Sequence, residues 1–440
     1  MDVREQPARS LPPVHEAWLP REHSLHRPRH GKRQTTALVS AAVFFCVPLL
    51  LLVVGVRPEA IENRRPAGFP SPGDGWGFFT GLNPWATDNL PLRDVAIHAH
   101  GDISEGLFGE VPNFDGPQQP AAGPVAPPPP TLELPPDSRT PNGSDLGTDG
   151  FPTVIQGRDN WMYFGFDTKG KCQPSQTMND IVANVARLKA AVEASGRTFV
   201  LAVAPDKTTM VPEHLPGSYA GKACSAAPRT TFWRRAIIEL NIVDLRVPLN
   251  QQADRIREPV YFPQDSHWTF AGGLTMTKEI AERVQPGVSL PWRTKKGSEW
   301  NSQADLPRLI GRTAASKTNR YELAPDGGSD RTDYVASDFQ TPLVFRTNTG
   351  IGKIGTKTAM IGDSFTQFAS PFFGAVFSDI SITHVGQFAK DAKPVADRLA
   401  DAQVVIFEIV ERNLAAGASP ISDPRIVDLI ASTMAARPMR

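Results

Sequence analysis

A serine follows a glycine and an aspartate in Ala359-Met360-Ile361-Gly362-Asp363-Ser364-Phe365. Residues Thr358 to Ile361 suit a buried strand, Gly362 ends it, and Phe365-Thr366-Gln367-Phe368 opens a helix-like pattern. A hydroxyl at such a corner faces out of the carboxyl end of a sheet, at the positive end of a helix dipole, where a developing oxyanion is stabilised. Ser364 also suits a plain helix N-cap, and Asp363 an Asx-turn that braces the corner. The second stretch is Pro263-Gln264-Asp265-Ser266-His267-Trp268-Thr269. An aspartate two residues before a histidine can bend round to accept the ring N–H, which fixes the tautomer and stabilises the imidazolium. The same pair could cap the next helix, or offer two ligands to a metal. No further His or Cys cluster lies at useful spacing, so no metal is expected. If the two loops face each other, Ser364, His267 and Asp265 are nucleophile, base and orienter.

Both loops must then sit on one edge of one sheet. The pattern predicts a strand pair, Val154 to Gly157 and Asn160 to Phe164, turning at Arg158-Asp159. An amphipathic helix follows from Ile181 to Ala194, closed by Ser195-Gly196. Thr198 to Ala204 is a continuous apolar run, as expected of a central strand covered on both faces. Further helices are expected over Thr231 to Asn241, Phe270 to Val284, Val395 to Leu399 and Ile426 to Ala436. Strands are expected over Ile242 to Leu245, Leu343 to Phe345, Ile380 to Thr383 and Val404 to Phe407, with residues 286 to 356 otherwise irregular. Such alternation predicts an α/β fold, a mostly parallel sheet with helices on both faces. Pro205-Asp206-Lys207 and Glu411-Arg412 follow strands at the same carboxyl edge. Lys207 and Arg412 are therefore candidate substrate contacts; a solvated loop charge and a surface salt bridge are the plainer readings. Trp161, Tyr163 and Trp268 could stack on a bound ligand or simply pack in the core.

The chain has 440 residues, net charge zero, 40% hydrophobic and 21% charged residues, ample for a sizeable core. The neutral balance argues against a nucleic-acid partner, since phosphate binding needs an excess of Lys and Arg. Residues 1–34 read as a disordered basic tail. The uncharged run over 35–57 is long enough for one transmembrane helix, with Pro48 tolerable inside it. The basic cluster before the run places the amino terminus in the cytoplasm and everything after residue 57 outside. A cleaved signal peptide fits less well, because the amino-terminal region is long and no Ala-x-Ala site follows. Residues 58–111 are membrane-proximal and include an amphipathic helix from Leu92 to Leu107, 112–150 are a Pro-rich linker or insertion, and 151–440 hold the catalytic domain. Of the three cysteines, Cys172 and Cys224 lie in the exported part, where thiols oxidise, so a bridge between them is expected; two free buried thiols are the alternative.

With these residues in view, the chain resembles the SGNH-hydrolase-like O-acetyltransferases of the alginate O-acetylation type. The resemblance rests on Gly362-Asp363-Ser364 followed by an aromatic, with Asp265-Ser266-His267-Trp268 upstream. Glu62-Asn63-Arg64, Leu90-Pro91-Leu92-Arg93, Gly157-Arg158-Asp159-Asn160-Trp161, Pro205-Asp206-Lys207 with Pro212-Glu213-His214-Leu215-Pro216, and Glu411-Arg412 recur in the same order. The His-bearing loop precedes the serine, permuted relative to ordinary GDS-type esterases. The resemblance implies a flavodoxin-like SGNH-type sheet, preceded here by one transmembrane helix, and a Ser-His-Asp triad of Ser364, His267 and Asp265, with Gly362 and Asp363 supporting the turn. It implies no cofactor, and acetyl transfer to a polysaccharide outside the cytoplasmic membrane. Acetyl-CoA is cytoplasmic, so the donor is expected to be a multi-pass membrane acyltransferase that passes acetyl across the bilayer. An acetyl esterase or deacetylase with the same triad, and a non-catalytic glycan-binding assembly factor, are the competing classes. The 112–150 insertion and the long basic tail depart from the family pattern and leave the polysaccharide open.

Overall fold

The structure, a computed structural model, describes residues 32–54, 69–71, 73, 75–89, 150–335, 339 and 341–439. The chain divides into two compact units, Met1–Pro58 with Ala67–Arg93, and Glu59–Pro66 with Asp94–Arg440. In the first, Lys32–Val53 and Trp76–Asn89 are helical. The former covers most of the uncharged run. Among the described residues, no helix is long and apolar enough to cross a membrane, so the span expected over 35–57 rests on the sequence alone. Most of the 1–34 tail, the helix expected from Leu92 to Leu107 and the 112–150 segment up to residue 149 lie outside the described residues.

The second unit carries strands β1 (Val154–Gln156), β2 (Met162–Phe164), β3 (Thr198–Ala204), β4 (Val243–Asp244), β5 (Arg293–Gln303), β6 (Ala315–Ala324), β7 (Leu343–Arg346), β8 (Thr358–Gly362), β9 (Asp379–His384) and β10 (Val404–Val410). Six form one sheet in the order β4-β3-β10-β8-β9-β7. All pairings are parallel except that of β7 with β9 at the edge. β10 lies at the centre, with Phe407 beside Leu201 of β3 and Ile361 of β8.

The alternation of side chains along a strand divides these continuous apolar runs between two cores. Val200, Ala202, Met360 and Ile406 point to one face, where they meet Leu249, Leu274, Ile280, Phe372 and Phe373 of helices Arg246–Ile256, Phe270–Val284 and Ser370–Val376. Leu201, Val203, Ile361 and Phe407 point to the other, against Val185, Leu188, Val395, Leu399, Val427 and Ile430 of helices Met178–Ala194, Ala392–Ala400 and Pro424–Ala435. The expected α/β architecture with helices on both faces is therefore present, as a mixed, mostly parallel sheet.

Local chemistry explains the agreements and the misses. β1 and β2 pair antiparallel through a turn in which Asp159 and Asn160 have φ of 55° and 64°. Asp and Asn tolerate that left-handed conformation, and two such residues twist a hairpin correctly. Residues 286 to 356, expected to be irregular, instead contain the β5–β6 hairpin. β5 reads Arg-Thr-Lys-Lys-Gly-Ser-Glu-Trp-Asn-Ser-Gln and is mostly exposed, so it lacks the two-residue apolar period that betrays a strand. The helix expected over Thr231 to Asn241 starts earlier, at Lys222, runs to Arg235 and continues as a π-helical turn over Ala236–Leu240. Pro228 lies inside it, where a missing N–H normally marks a break.

Cys172 and Cys224 are bridged, closing a separation of 52 residues and joining helix Phe166–Cys172 to helix Lys222–Arg235. Closing a loop of that length restricts the unfolded chain by up to about 4 kcal/mol. The double substitution Cys172→Ser, Cys224→Ser is therefore expected to lower unfolding stability by as much as that, read by denaturant melts under non-reducing conditions. No change would mean the bridge adds nothing in solution.

Candidate active site

β8 ends at Gly362, and Ser364 opens a 3-10 turn, Ser364–Phe368, directly behind it. The corner is held by its acids rather than by the serine. Asp363 Oδ1 accepts the Phe365 N–H at 3.0 Å, and its Oδ2 accepts the Val410 N–H at 2.8 Å, pinning the corner to the end of β10. Glu408, inside β10, accepts the Asp363 N–H at 3.2 Å and the Thr366 hydroxyl at 2.6 Å. Burial and the neighbouring Asp363 push the Glu408 carboxyl well above its usual range, which favours its protonated form.

Gly362 is required by space: a Cβ there would sit 2.1 Å from Thr366 Oγ1 and 2.7 Å from Thr366 Cβ. Gly362→Ala must displace the serine turn. We expect a stability loss of about 1–3 kcal/mol together with lost activity, read by denaturant unfolding and ester turnover. A variant as stable and active as the wild type would show that the turn can yield.

The histidine loop is closed on itself and on this corner. Tyr261 and Trp268 form an antiparallel bridge, and the Phe262 N–H donates to the His267 carbonyl at 3.2 Å. The Trp268 indole N–H donates to the Phe365 carbonyl at 3.0 Å, so the loops are tied one residue from each functional side chain. His267 Nε2 lies 2.7 Å from Ser364 Oγ, and His267 Nδ1 lies 2.7 Å from Asp265 Oδ1. Both His267 and Ser364 are half-buried and Asp265 is buried. The geometry assigns the proton on Nδ1 to Asp265 and leaves the Nε2 lone pair to the serine hydroxyl.

A second carboxylate stands behind the first. Asp305 Oδ2 is 3.5 Å from His267 Nδ1, while Asp305 accepts both the N–H (2.8 Å) and the hydroxyl of Ser266. Asp265 Oδ2 in turn accepts the Asp305 N–H at 3.2 Å and the Ser316 hydroxyl, from β6, at 3.1 Å. Burial works against an imidazolium at His267, but the hydrogen bond and charge of Asp265 and the charge of Asp305 outweigh it, so the His267 pKa lies above its ordinary value. For Asp265, burial is outweighed by the His267 hydrogen bond and charge, so its carboxyl titrates below the usual range. Burial, then the charge of Asp265, raises Asp305.

Asp265, His267 and Asp305 bring three potential ligand atoms within 4.8 Å of one another. Asp265 already accepts four protein hydrogen bonds, which a cation would have to displace.

Lys207 and Arg412 are not the solvated charges that loop positions suggested, nor do they face outward as sugar contacts would. Lys207 is 1% exposed and donates to the carbonyls of Phe262, Pro263 and Asp265. Arg412 is 3% exposed, 3.4 Å from Asp167 and 3.5 Å from Asp206, with its guanidinium 5.4 Å from the Phe365 ring centre. It belongs to a buried cluster completed by Lys171, which pairs with Asp206 and with Glu411 at 3.2 Å. Three acids share two cations there, and burial, followed by the charge of Asp167, drives Asp206 well above the usual carboxylate range. Trp161, Tyr163 and Trp268 are all buried, so they pack rather than stack on a ligand.

Sequence reasoning missed Asp305, Ser316, Glu408 and Lys171. Only Glu408 left a signal, as one acid within the apolar run Val-Val-Ile-Phe-Glu-Ile-Val. Asp305 and Ser316 come from the hairpin region that showed no period.

A serine turn and a histidine loop on the carboxyl edge of a mixed, mostly parallel sheet define an SGNH hydrolase-like α/β protein. The chain belongs to the family described as SGNH hydrolase-like domain, acetyltransferase AlgX, whose family model matches residues 154–402. Among its relatives, a Pseudomonas fluorescens protein described as "Probable alginate O-acetylase AlgJ" is 30% identical over 290 residues, 61% of this chain and 70% of the relative. A Pseudomonas putida protein of the same description is 26% identical over 293 residues, 61% of this chain and 72% of the relative. The solved O-acetyltransferase domain of Pseudomonas putida AlgJ overlaps 63% of this chain and 98% of that domain, at 18% identity and a TM-score of 0.42.

Proposed function

We propose that the chain is a polysaccharide O-acetyltransferase working through an acetyl-enzyme on Ser364. The observation that carries this reading is the relay of two 2.7 Å contacts, Ser364 to His267 and His267 to Asp265. Ser364 Oγ attacks the acetyl carbonyl carbon while its proton passes to His267 Nε2, and Asp265 stabilises the imidazolium. The Ser364 N–H, at the start of its turn, donates to the oxyanion; one such donor typically contributes about 3 kcal/mol. The donor's leaving group departs with the proton from His267. A sugar hydroxyl then gives its proton to His267 Nε2 as its oxygen attacks the acetyl-enzyme carbonyl; the bond from that carbon to Ser364 Oγ breaks, His267 returns the proton to Oγ, and the sugar ester leaves.

The relatives described as alginate O-acetylases support a polysaccharide acceptor for this chain. The uncharged run over 35–57 and the basic residues before it support a single-pass anchor in the cytoplasmic membrane, amino terminus inside and catalytic unit outside. That location calls for an acetyl supply from a multi-pass membrane acyltransferase. Normal glycan acetylation in cells lacking any such partner would contradict the supply route.

The test is turnover of a chromogenic acetyl ester by the full chain, with and without oligosaccharide. Transfer predicts acetylated sugar at the expense of free acetate. Acetate as the sole product at every sugar concentration would make the enzyme an esterase, and no turnover with either would favour a non-catalytic glycan-binding role.

A further inference from the structure

Lys207 stands just beyond the end of β3, in the short helix Lys207–Met210, and its ammonium is out of solvent. A buried lysine is usually neutralised by a carboxylate. This one makes a different set of contacts. Its three N–H donors match three backbone carbonyls, Phe262 at 3.0 Å, Pro263 at 3.1 Å and Asp265 at 2.7 Å. The rings of Trp161 and Tyr163 lie behind the nitrogen, with centres at 5.6 Å and 5.3 Å. The three carbonyls belong to the turn that delivers the Asp265 carboxylate and, two residues on, the imidazole. They converge on one point, where their dipoles repel unless a cation fills it.

We infer that Lys207, as its ammonium, is a positioning residue for the reaction: it clamps the 262–265 turn and thereby sets the contacts of His267 with Asp265 and Ser364. It touches neither substrate nor reacting atoms. The inference rests on the Ser364–His267–Asp265 reading above and names a residue on which that relay depends. A neutral amine cannot replace the clamp, because it has two N–H groups and a lone pair that would face a carbonyl oxygen.

The charge state is adjustable within an ordinary assay range. Burial lowers the Lys207 pKa to about 8, against the opposing charges of Asp305, Asp265 and Asp167, while Arg412 adds to the lowering. The Tyr163 phenol behind it is raised, by burial first, and does not titrate in this window. Above pH about 8 the clamp therefore loses its proton and the turn loosens. Global stability responds with the opposite sign. Between about 8 and the ordinary 10.5, the unfolded lysine holds a proton that the folded one has released, so this residue's contribution makes folding more favourable as pH rises. Activity falls where that contribution to stability grows, a combination that simple unfolding cannot produce.

The experiment is ester turnover by the full chain, from neutral pH to pH about 10, for wild type, Lys207→Met and Ser364→Ala, with thermal melts at each pH. We expect the wild-type kcat to decline above pH about 8 with no parallel fall in melting temperature. Lys207→Met should lose about 100-fold in kcat with KM within about twofold, as for a misplaced catalytic group, and should lack the alkaline limb. If Ser364→Ala is inactive yet Lys207→Met keeps wild-type kcat and the same limb, the clamp is overturned and the triad stands. If Ser364→Ala is active, the triad reading itself fails. Should Lys207→Met not fold, the wild-type series still decides: kcat and melting temperature falling together above pH about 8 overturns the clamp.

Discussion

Ser364→Ala is expected to remove about 10⁴-fold or more of kcat/KM toward an acetyl ester and to leave the fold intact. The side chain that is lost bonds to the His267 imidazole. The corner that carries it depends on other groups: Asp363 on the Phe365 and Val410 amides, and Glu408 on the Asp363 amide and the Thr366 hydroxyl. Deleting one half-buried hydroxyl disturbs none of these bonds. Residual turnover should come only from the oxyanion donor and from binding, which do not form a covalent intermediate. A folded variant within tenfold of wild type would remove Ser364 from the chemistry.

Asp265→Asn is the second large effect, about 10⁴-fold in kcat, with a signature in pH. An amide at this position can present N–H to the imidazole, turn the tautomer and withdraw the Nε2 lone pair from Ser364. The base must be neutral to accept the serine proton, so wild-type activity should fall as pH drops through the His267 pKa, which stands above its ordinary value. Removing the Asp265 charge leaves burial and the charge of Arg412, which both oppose the imidazolium, set against the charge of Asp305. The acid limb of kcat/KM should therefore move to lower pH in Asp265→Asn. An unmoved limb would mean that Asp305, 3.5 Å from Nδ1, governs the ring instead.

How much of this was legible follows from the kind of signal each part leaves. β3, β8 and β10 are buried on both faces and read as unbroken apolar runs, which is why the sheet and its carboxyl edge were visible. The Gly362-Asp363-Ser364 corner and the Asp265-x-His267 pair are local, and topology alone put them on one edge across 97 residues of sequence. The β5–β6 hairpin was hard to see because β5 is charged and mostly exposed, and β6 turns only a few residues, Tyr321 and Leu323 among them, to the core at its carboxyl end. With it went Ser316 and Asp305, which complete the environment of Asp265. The burial of Lys207 and Arg412 was illegible for a related reason. A charge after a strand looks solvated in sequence, and only packing shows that Lys207 faces three carbonyls and Arg412 faces Asp167 and Asp206.

The most direct test is to trap the covalent intermediate. Full-length protein is mixed with an acetyl ester, quenched in acid within one turnover, digested and mapped by mass spectrometry, beside Ser364→Ala treated identically. Acetyl on Ser364 in the wild type, and on no residue of the variant, is the predicted result. Rapid ester turnover with the Ser364 peptide unmodified, or the same acetylated peptide pattern in Ser364→Ala, would contradict the acetyl-enzyme.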